Sequence, residues 1–282
     1  MWFILYSTKF VEAPNNYFGN PENITIIALH NVFFEKEEQK SMRYLYFAWI
    51  TVGFVLTFLL IYPIFWVLML RKAWHVYYQP VSSIWAWLWY AWCFLPVKAK
   101  WEFTPDKKES YLFCPNHFSF FDIPLLTLTI PTYFAFVGLH ELLHVPLFGR
   151  LFRTFHIPIN RNSMRDRYRT YQDCKKSSEA GKSLVVFPEG GIWADESPTL
   201  MPFKDGTFRL AIELQKPIIP VTIPYNWHIL SLFKINKMQW HKSVIIFHKP
   251  IETKGLTIAD VTILKEQTYH IINNTLQNYY KK

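Results

Sequence analysis

The sequence predicts an α/β protein: a mixed, largely parallel sheet flanked by helices, preceded by an N-terminal membrane-embedded helical segment. Three observations carry that expectation. From Lys98 onward, short apolar runs alternate with amphipathic segments, the pattern of strands buried on both faces between covering helices. Ahead of them, Tyr44 to Leu70 is a run of 27 residues without a charge. The chain of 282 residues has room for one globular domain plus membrane elements, not for two full domains.

Taken in order, residues 1–41 read as an N-terminal extension. They lack the basic n-region and small-residue cleavage site of a secretory signal. Met42 stands immediately before the hydrophobic run, so the sequence predicts that translation starts there and that 1–41 lie upstream of the natural start. Residues 42–72 read as a transmembrane helix. As a helix the uncharged run reaches about 40 Å, enough to span with tilt. Arg43 precedes it, Arg71 and Lys72 follow, and Tyr44, Tyr46, Trp49, Phe65 and Trp66 mark its ends. Pro63 is expected to kink it.

Residues 73–98 form an aromatic segment whose prolines, Pro80 and Pro96, leave 15 residues between them. That is short for a second crossing. Trp85, Trp89 and Trp92 repeat at helical spacing, which suits an interfacial or re-entrant helix, and equally an aromatic face packed on the first helix.

Composition agrees with a membrane setting. Apolar residues are 51% and aromatic residues 19% of the chain. Net charge is +9, with residues 1–41 contributing −2 and the rest +11. A basic surface attracts anionic lipid or phosphate; nucleic acid is not expected, because no RNP-like run or zinc finger is present. Cys93, Cys114 and Cys174 form no CxxC pair and read as reduced thiols.

Residues 99–282 hold the α/β domain. Tyr111–Cys114, Tyr133–Val137, Ser183–Phe187, Pro217–Ile223 and Ser243–His248 read as strands. One helix runs from a cap at Asn162 or Ser163 to Gly181 as its C′ glycine, a second from Gly206 to Gln215, and a third from about Thr257, with Asp260 in a capping position, to the C-terminus.

Within this domain His117 stands five residues before Asp122. In a continuous helix the two would point about 140° apart. Pro115 before them, with Asp122 as a helix N-cap and Pro124 in the first helical turn, supplies the bend that lets them meet. A carboxylate on one imidazole nitrogen fixes the tautomer and leaves the other to take a proton. A positioned base of this kind typically contributes about 10²–10⁴-fold to attack by a hydroxyl.

The residues around this pair resemble the glycerolipid acyltransferase family, whose best-known members are the 1-acylglycerol-3-phosphate (lysophosphatidate) acyltransferases. Asn116-His117-x-Ser119-x-x-Asp122 is similar to the family's NHxSxxD block. Phe155-His156-Ile157-Pro158-Ile159-Asn160-Arg161 resembles its second block, Phe187-Pro188-Glu189-Gly190 the start of its FPEGTR block, Pro202 to Thr207 its FKxG element, and Ile218-Ile219-Pro220-Val221 its fourth block. The order and gaps match over about residues 100–225.

The resemblance implies a membrane-bound O-acyltransferase that moves a fatty acyl group from an acyl-CoA or acyl-carrier-protein thioester to a lysophospholipid hydroxyl. The expected conversion is 1-acyl-sn-glycerol-3-phosphate to phosphatidate, with no metal or other cofactor. It also implies a catalytic domain on the cytoplasmic face of a membrane, here a bacterial inner membrane. His117 is then the base and Asp122 orients it. Arg161 and Lys204 bind the acceptor's anionic head, and amides near Gly190 and Gly191 hold ligand or oxyanion. Glu189 either bonds an acceptor hydroxyl or braces its loop; Ser119 either caps the helix start or touches substrate.

One departure bears on the acceptor. After Glu189-Gly190 the family usually reads Thr-Arg, whereas this chain has Gly191-Ile192. That removes a bidentate phosphate ligand and makes a lyso-aminolipid the alternative acceptor. Asn160 replaces the acidic residue common before Arg161.

A rival of another class is a membrane zinc metalloprotease, since His140-Glu141-Leu142-Leu143-His144 satisfies HExxH. Pro146 and Gly149 make any helix there short, and the stretch also fits the acyltransferase pattern. A lipid-tethered protein without catalysis would need neither His117 nor Asp122.

Overall fold

In a computed structural model of the chain, residues 21–106, 108–159, 163–193, 198–231 and 235–281 are described, with backbone alone for 21–39. The chain divides into two compact units, Met1–Leu45 and Tyr46–Lys282. The proposed extension at 1–41 is described only from residue 21 onward.

The first helix, α1, runs Pro21–Leu70 and continues through Pro63. Its Lys40–Leu70 stretch, mean hydropathy 2.3, is long and apolar enough to cross a membrane. Ile50, Phe58, Ile61, Phe65 and Leu68 are buried, while Val52, Val55, Leu56, Leu59, Leu60, Ile64 and Val67 are exposed. The buried residues recur at helical spacing and form one stripe.

A 3₁₀ turn, Lys72–Tyr77, leads into α2, Tyr78–Trp92. Trp85 and Trp89 are buried against α1: Phe54 meets their rings edge-on at 6.0 and 5.0 Å, and the Trp89 indole donates to the Ile50 carbonyl at 3.1 Å. Trp92 stacks on Trp49 at 4.6 Å. Of the two roles weighed for this tryptophan face, packing on the first helix is realised. The helices approach closely because Gly53 lies under the Trp92 indole, where a Cβ would come within 2.2 Å of a ring carbon.

Among the described residues the sheet has seven strands: β1 Val97–Trp101, β2 Leu112–Pro115, β3 Phe134–Leu139, β4 Ile157–Ile159, β5 Ser183–Val186, β6 Ile218–Thr222 and β7 Ser243–Phe247. Their spatial order is β1-β7-β6-β2-β5-β3-β4. Every pairing is parallel except β6 with β7, so the sheet is mixed and largely parallel, as expected. The five expected strands are all present. The two unforeseen ones, β1 and β4, are the sheet's edges.

Side chains alternate across the sheet. Phe113, Val185, Ile219 and Phe247 join a core with α1, α2, α3 (Asp122–Thr129) and α4 (Phe148–Phe155). Leu112, Cys114, Leu184 and Ile218 join another with α5 (Met164–Glu179), α6 (Asp205–Leu214) and, beyond the short α7 (Asn226–Ile229), α8 (Val261–Tyr280). Phe113, Phe121 and Phe247 are wholly buried, each contributing about 1.5–3 kcal/mol.

The foreseen caps hold these helices. Ser163 accepts from the Asp166 amide at 3.0 Å, and Gly181 follows α5 at φ +79°. Thr257 and Asp260 form a reciprocal capping box ahead of α8.

Candidate active site

Three parallel neighbours, β6, β2 and β5, end side by side, and the loop after each supplies part of one site. Ligands of open α/β sheets bind at such carboxyl ends. Pro115 closes β2, and the chain then turns through residues 116–121 into α3. Asn116 anchors the turn: its amide nitrogen donates to the Ile223 carbonyl at 2.9 Å and its oxygen accepts from the Ile223 N–H at 2.7 Å.

His117 and Asp122 meet across this turn, Nδ1 to Oδ2 at 3.0 Å. A carboxylate can only accept, so Nδ1 carries the proton and Nε2 keeps its lone pair. The imidazole stacks on Phe187, ring centres 3.7 Å apart. Its side chain is 10% exposed while that of Asp122 is fully buried, so the imidazole reaches solvent and the carboxylate does not.

The expected N-cap role of Asp122 is corrected by the geometry. Phe121 is the cap residue and Asp122 is the first residue of α3. Its carboxylate points back along the chain, where Oδ2 accepts from the Phe118 and Ser119 amides, each at 2.9 Å, as well as from His117. It organises the turn rather than the helix end. Oδ1 accepts from the Asn226 side chain at 3.0 Å.

Glu189 lies in the loop after β5 and is buried. Its two oxygens accept from the His117 amide at 2.7 Å and the Met201 amide at 3.0 Å, so the carboxyl holds the His117 backbone. Burial pushes its pKa up to about 8, against the opposing pull of those two amides. Of the two roles weighed for Glu189, loop bracing is the one for which both oxygens are engaged. Ser119 likewise donates to the Leu230 carbonyl at 2.7 Å and accepts from the Phe121 amide at 3.1 Å, while buried. Both contacts fasten the turn.

Gly190 takes φ +80°, and its amide donates to the Phe187 carbonyl at 3.1 Å, closing a turn. At Gly191 a Cβ would meet nothing within 4 Å among the described residues. Lys204 precedes α6 with its side chain exposed, and its amide donates to the Pro188 carbonyl at 2.9 Å. The structure therefore gathers His117, Ser119, Asp122 and Glu189, with Lys204 tied to the same loop. Arg161 and Asn160 lie outside the described residues.

His140 and His144 sit on a 3₁₀ turn, His140–His144, with ring centres 5.8 Å apart. The stretch is a single 3₁₀ turn, so the α-helix that carries an HExxH pair is not formed there. Two contributors escaped the sequence reading: the Asn116 clamp and Asn226. A polar residue just beyond an apolar parallel strand is the signal that marks such positions.

A buried carboxylate thus aligns an imidazole at the carboxyl ends of a largely parallel sheet. In comparison with known proteins, residues 98–224 match the family model described as Acyltransferase. A 1-acyl-sn-glycerol-3-phosphate acyltransferase of Haemophilus influenzae is 26% identical over 64% of this chain and 75% of its own length. An uncharacterized acyltransferase of Schizosaccharomyces pombe is 28% identical over 60% of this chain, which spans 61% of that relative. The crystal structure of the 1-acyl-sn-glycerophosphate acyltransferase PlsC from Thermotoga maritima shares the fold, with TM-score 0.68 at 19% identity over 88% of this chain and 98% of that one.

Proposed function

We propose that the protein is a membrane-bound O-acyltransferase that esterifies a lysophospholipid from an acyl-CoA or acyl-carrier-protein thioester, with 1-acyl-sn-glycerol-3-phosphate as the acceptor and phosphatidate as the product. The observation that carries this reading is the His117–Asp122 pair at 3.0 Å with Nε2 left to accept a proton. Nε2 takes the acceptor hydroxyl proton as the oxygen attacks the thioester carbonyl carbon. The tetrahedral adduct collapses, the carbon–sulfur bond breaks, and the imidazolium returns its proton to the leaving sulfur. Asp122 stabilises the imidazolium between these steps. No metal enters this sequence.

The exposed apolar face of α1 supports membrane attachment, since a contiguous apolar surface of that extent is unfavourable in water. Arg161 and Lys204 are assigned to the acceptor's phosphate. Gly191-Ile192, where the family usually has Thr-Arg, favours a lyso-aminolipid as the second reading. The catalytic domain is placed on the cytoplasmic face of a bacterial inner membrane.

The test is to present detergent-purified protein with lysophosphatidate and lyso-aminolipids beside one labelled acyl thioester. Rapid acylation of lysophosphatidate supports the first reading, and exclusive acylation of an aminolipid moves the assignment to the second. H117A must lose transfer while still partitioning into membranes; an active H117A ends the mechanism. R161A is expected to raise the KM for a phosphorylated acceptor more than it lowers kcat.

A further inference from the structure

Asp122 has two oxygens with unequal company. Oδ2 accepts from His117, Phe118 and Ser119. Among the described residues, Oδ1 has a single partner, the Asn226 side-chain nitrogen at 3.0 Å. Asn226 is the first residue of α7, just beyond β6, and is wholly buried.

An amide can face a carboxylate with its nitrogen or its oxygen, and only the nitrogen is useful. Here the orientation is fixed from behind. The Ser243 hydroxyl, at the start of β7, donates to Asn226 Oδ1. The Tyr90 hydroxyl of α2 lies 3.0 Å from the Ser243 oxygen and 3.4 Å from the Phe121 carbonyl. With its proton given to Asn226, Ser243 acts toward Tyr90 as acceptor. The donors thus run in one direction, Tyr90 to Ser243 to Asn226 to Asp122, ending at the carboxylate that holds His117. Tyr90, Ser243, Asn226 and Asp122 are each no more than 2% exposed, so water does not compete for these bonds.

We propose that Asn226 is a positioning residue for the His117 base, holding the Asp122 carboxylate in plane through Oδ1, with Ser243 and Tyr90 fixing which way its amide points. The proposal rests on the acyl-transfer reading for its kinetic consequences. Without the Asn226 donor, Asp122 retains its three bonds at Oδ2 but loses the restraint on rotation about its carboxyl. His117 then samples orientations that cannot reach the acceptor hydroxyl.

The informative substitution is N226D. Protonated, the new carboxyl reproduces the amide, accepting from Ser243 and donating to Asp122. Ionised, it places a second anion about 3 Å from the first, an arrangement in which two carboxylates share one proton and release it only well above the usual range. The titratable groups around Asp122 are His117, Tyr90 on α2, Glu189 after β5 and Tyr280 on α8, and all are retained. Wild-type kcat is expected to rise with pH to a plateau, whereas N226D is expected to rise and then fall. N226A should lose about ten- to a hundredfold in kcat with KM little changed, within the roughly 10²–10⁴-fold that a positioned base supplies.

A filler of the core would not give that pH shape. An N226D profile parallel to wild type, or N226A within twofold of wild-type kcat, overturns the proposal. Should either variant fail to fold, S243A removes one oxygen only and must still lower kcat at unchanged KM; full activity in S243A is equally fatal. Nitrogen NMR of the His117 ring separates this proposal from the functional one. The wild-type ring should hold one tautomer with Nδ1 protonated, and N226A or S243A should mix the two, whatever substrate the protein proves to use. Unchanged ring shifts in a folded variant reject the positioning role even if acyl transfer is never observed.

Discussion

Asn116 and Ile223 exchange a pair of hydrogen bonds, amide to carbonyl at 2.9 Å and backbone N–H to amide oxygen at 2.7 Å, joining the ends of two adjacent parallel strands. The pair fixes the residue before His117 to the loop that carries Asn226. N116A would leave the Ile223 N–H and carbonyl buried without partners, at roughly 1–3 kcal/mol each. Chemical unfolding in detergent should show a loss of about 3 kcal/mol, and activity should fall in conditions where the variant remains folded.

D122N tests the carboxylate itself. Turned one way, the new amide nitrogen confronts three N–H donors at the Oδ2 position; turned the other, it confronts the Asn226 donor. The charge that stabilises imidazolium is lost in both. Steady-state kinetics should show kcat reduced by about 10³-fold or more.

Glu189 gives a pH-dependent prediction. Its folded pKa, raised by burial to about 8, exceeds the ordinary glutamate value. The folded state therefore binds that proton more tightly than the unfolded state. The resulting stability is complete below about pH 4, the unfolded carboxyl range, and is lost as pH rises toward 8. Stability of wild type relative to E189Q should decline across that window, by no more than about tenfold in the unfolding constant per pH unit. Parallel melting curves at several pH values read it directly; wild type gaining stability relative to E189Q as pH rises would contradict the assignment.

Gly53 offers a test of the helical hairpin. G53A puts a methyl 2.2 Å from a Trp92 ring carbon. The indole cannot swing away freely, because its N–H donates to the Trp49 carbonyl at 3.1 Å and its ring stacks on Trp49. Overpacking of this kind costs about 1–3 kcal/mol. A lowered Tm, with loss of the near-ultraviolet dichroism of the stacked tryptophans, is the expected result.

The fold was legible where burial on both faces leaves an unbroken apolar run, as in β2, β5, β6 and β7. It was not legible at the edges. β1 carries Lys98 and Lys100 and is half-exposed along its length, while β4 is three residues around Pro158. A strand with one neighbour needs little hydrophobicity, so pattern alone passes over it. In the site, His117 and Asp122 were readable because five residues and two prolines prescribe a local turn. Glu189 reaches the His117 amide across 72 residues and Asn226 reaches Asp122 across 104. No local spacing encodes such partnerships. The Asp122 carboxylate also faces backward, a direction set by the amides of Phe118 and Ser119 and not by helix-capping preference.

The clamp between Asn116 and Ile223 has a consequence for the timing of synthesis. A nascent chain that ends with α6 already contains the whole His117–Asp122 motif, yet it lacks the strand that receives Asn116. The loop bearing His117 is then untethered, and Oδ1 of Asp122 has no Asn226 to meet. The surroundings of the imidazole are complete only when the growing polypeptide has delivered β6 and the loop behind it. The long sequence separations that hide this site from a local reading thus make its assembly a late event along the chain.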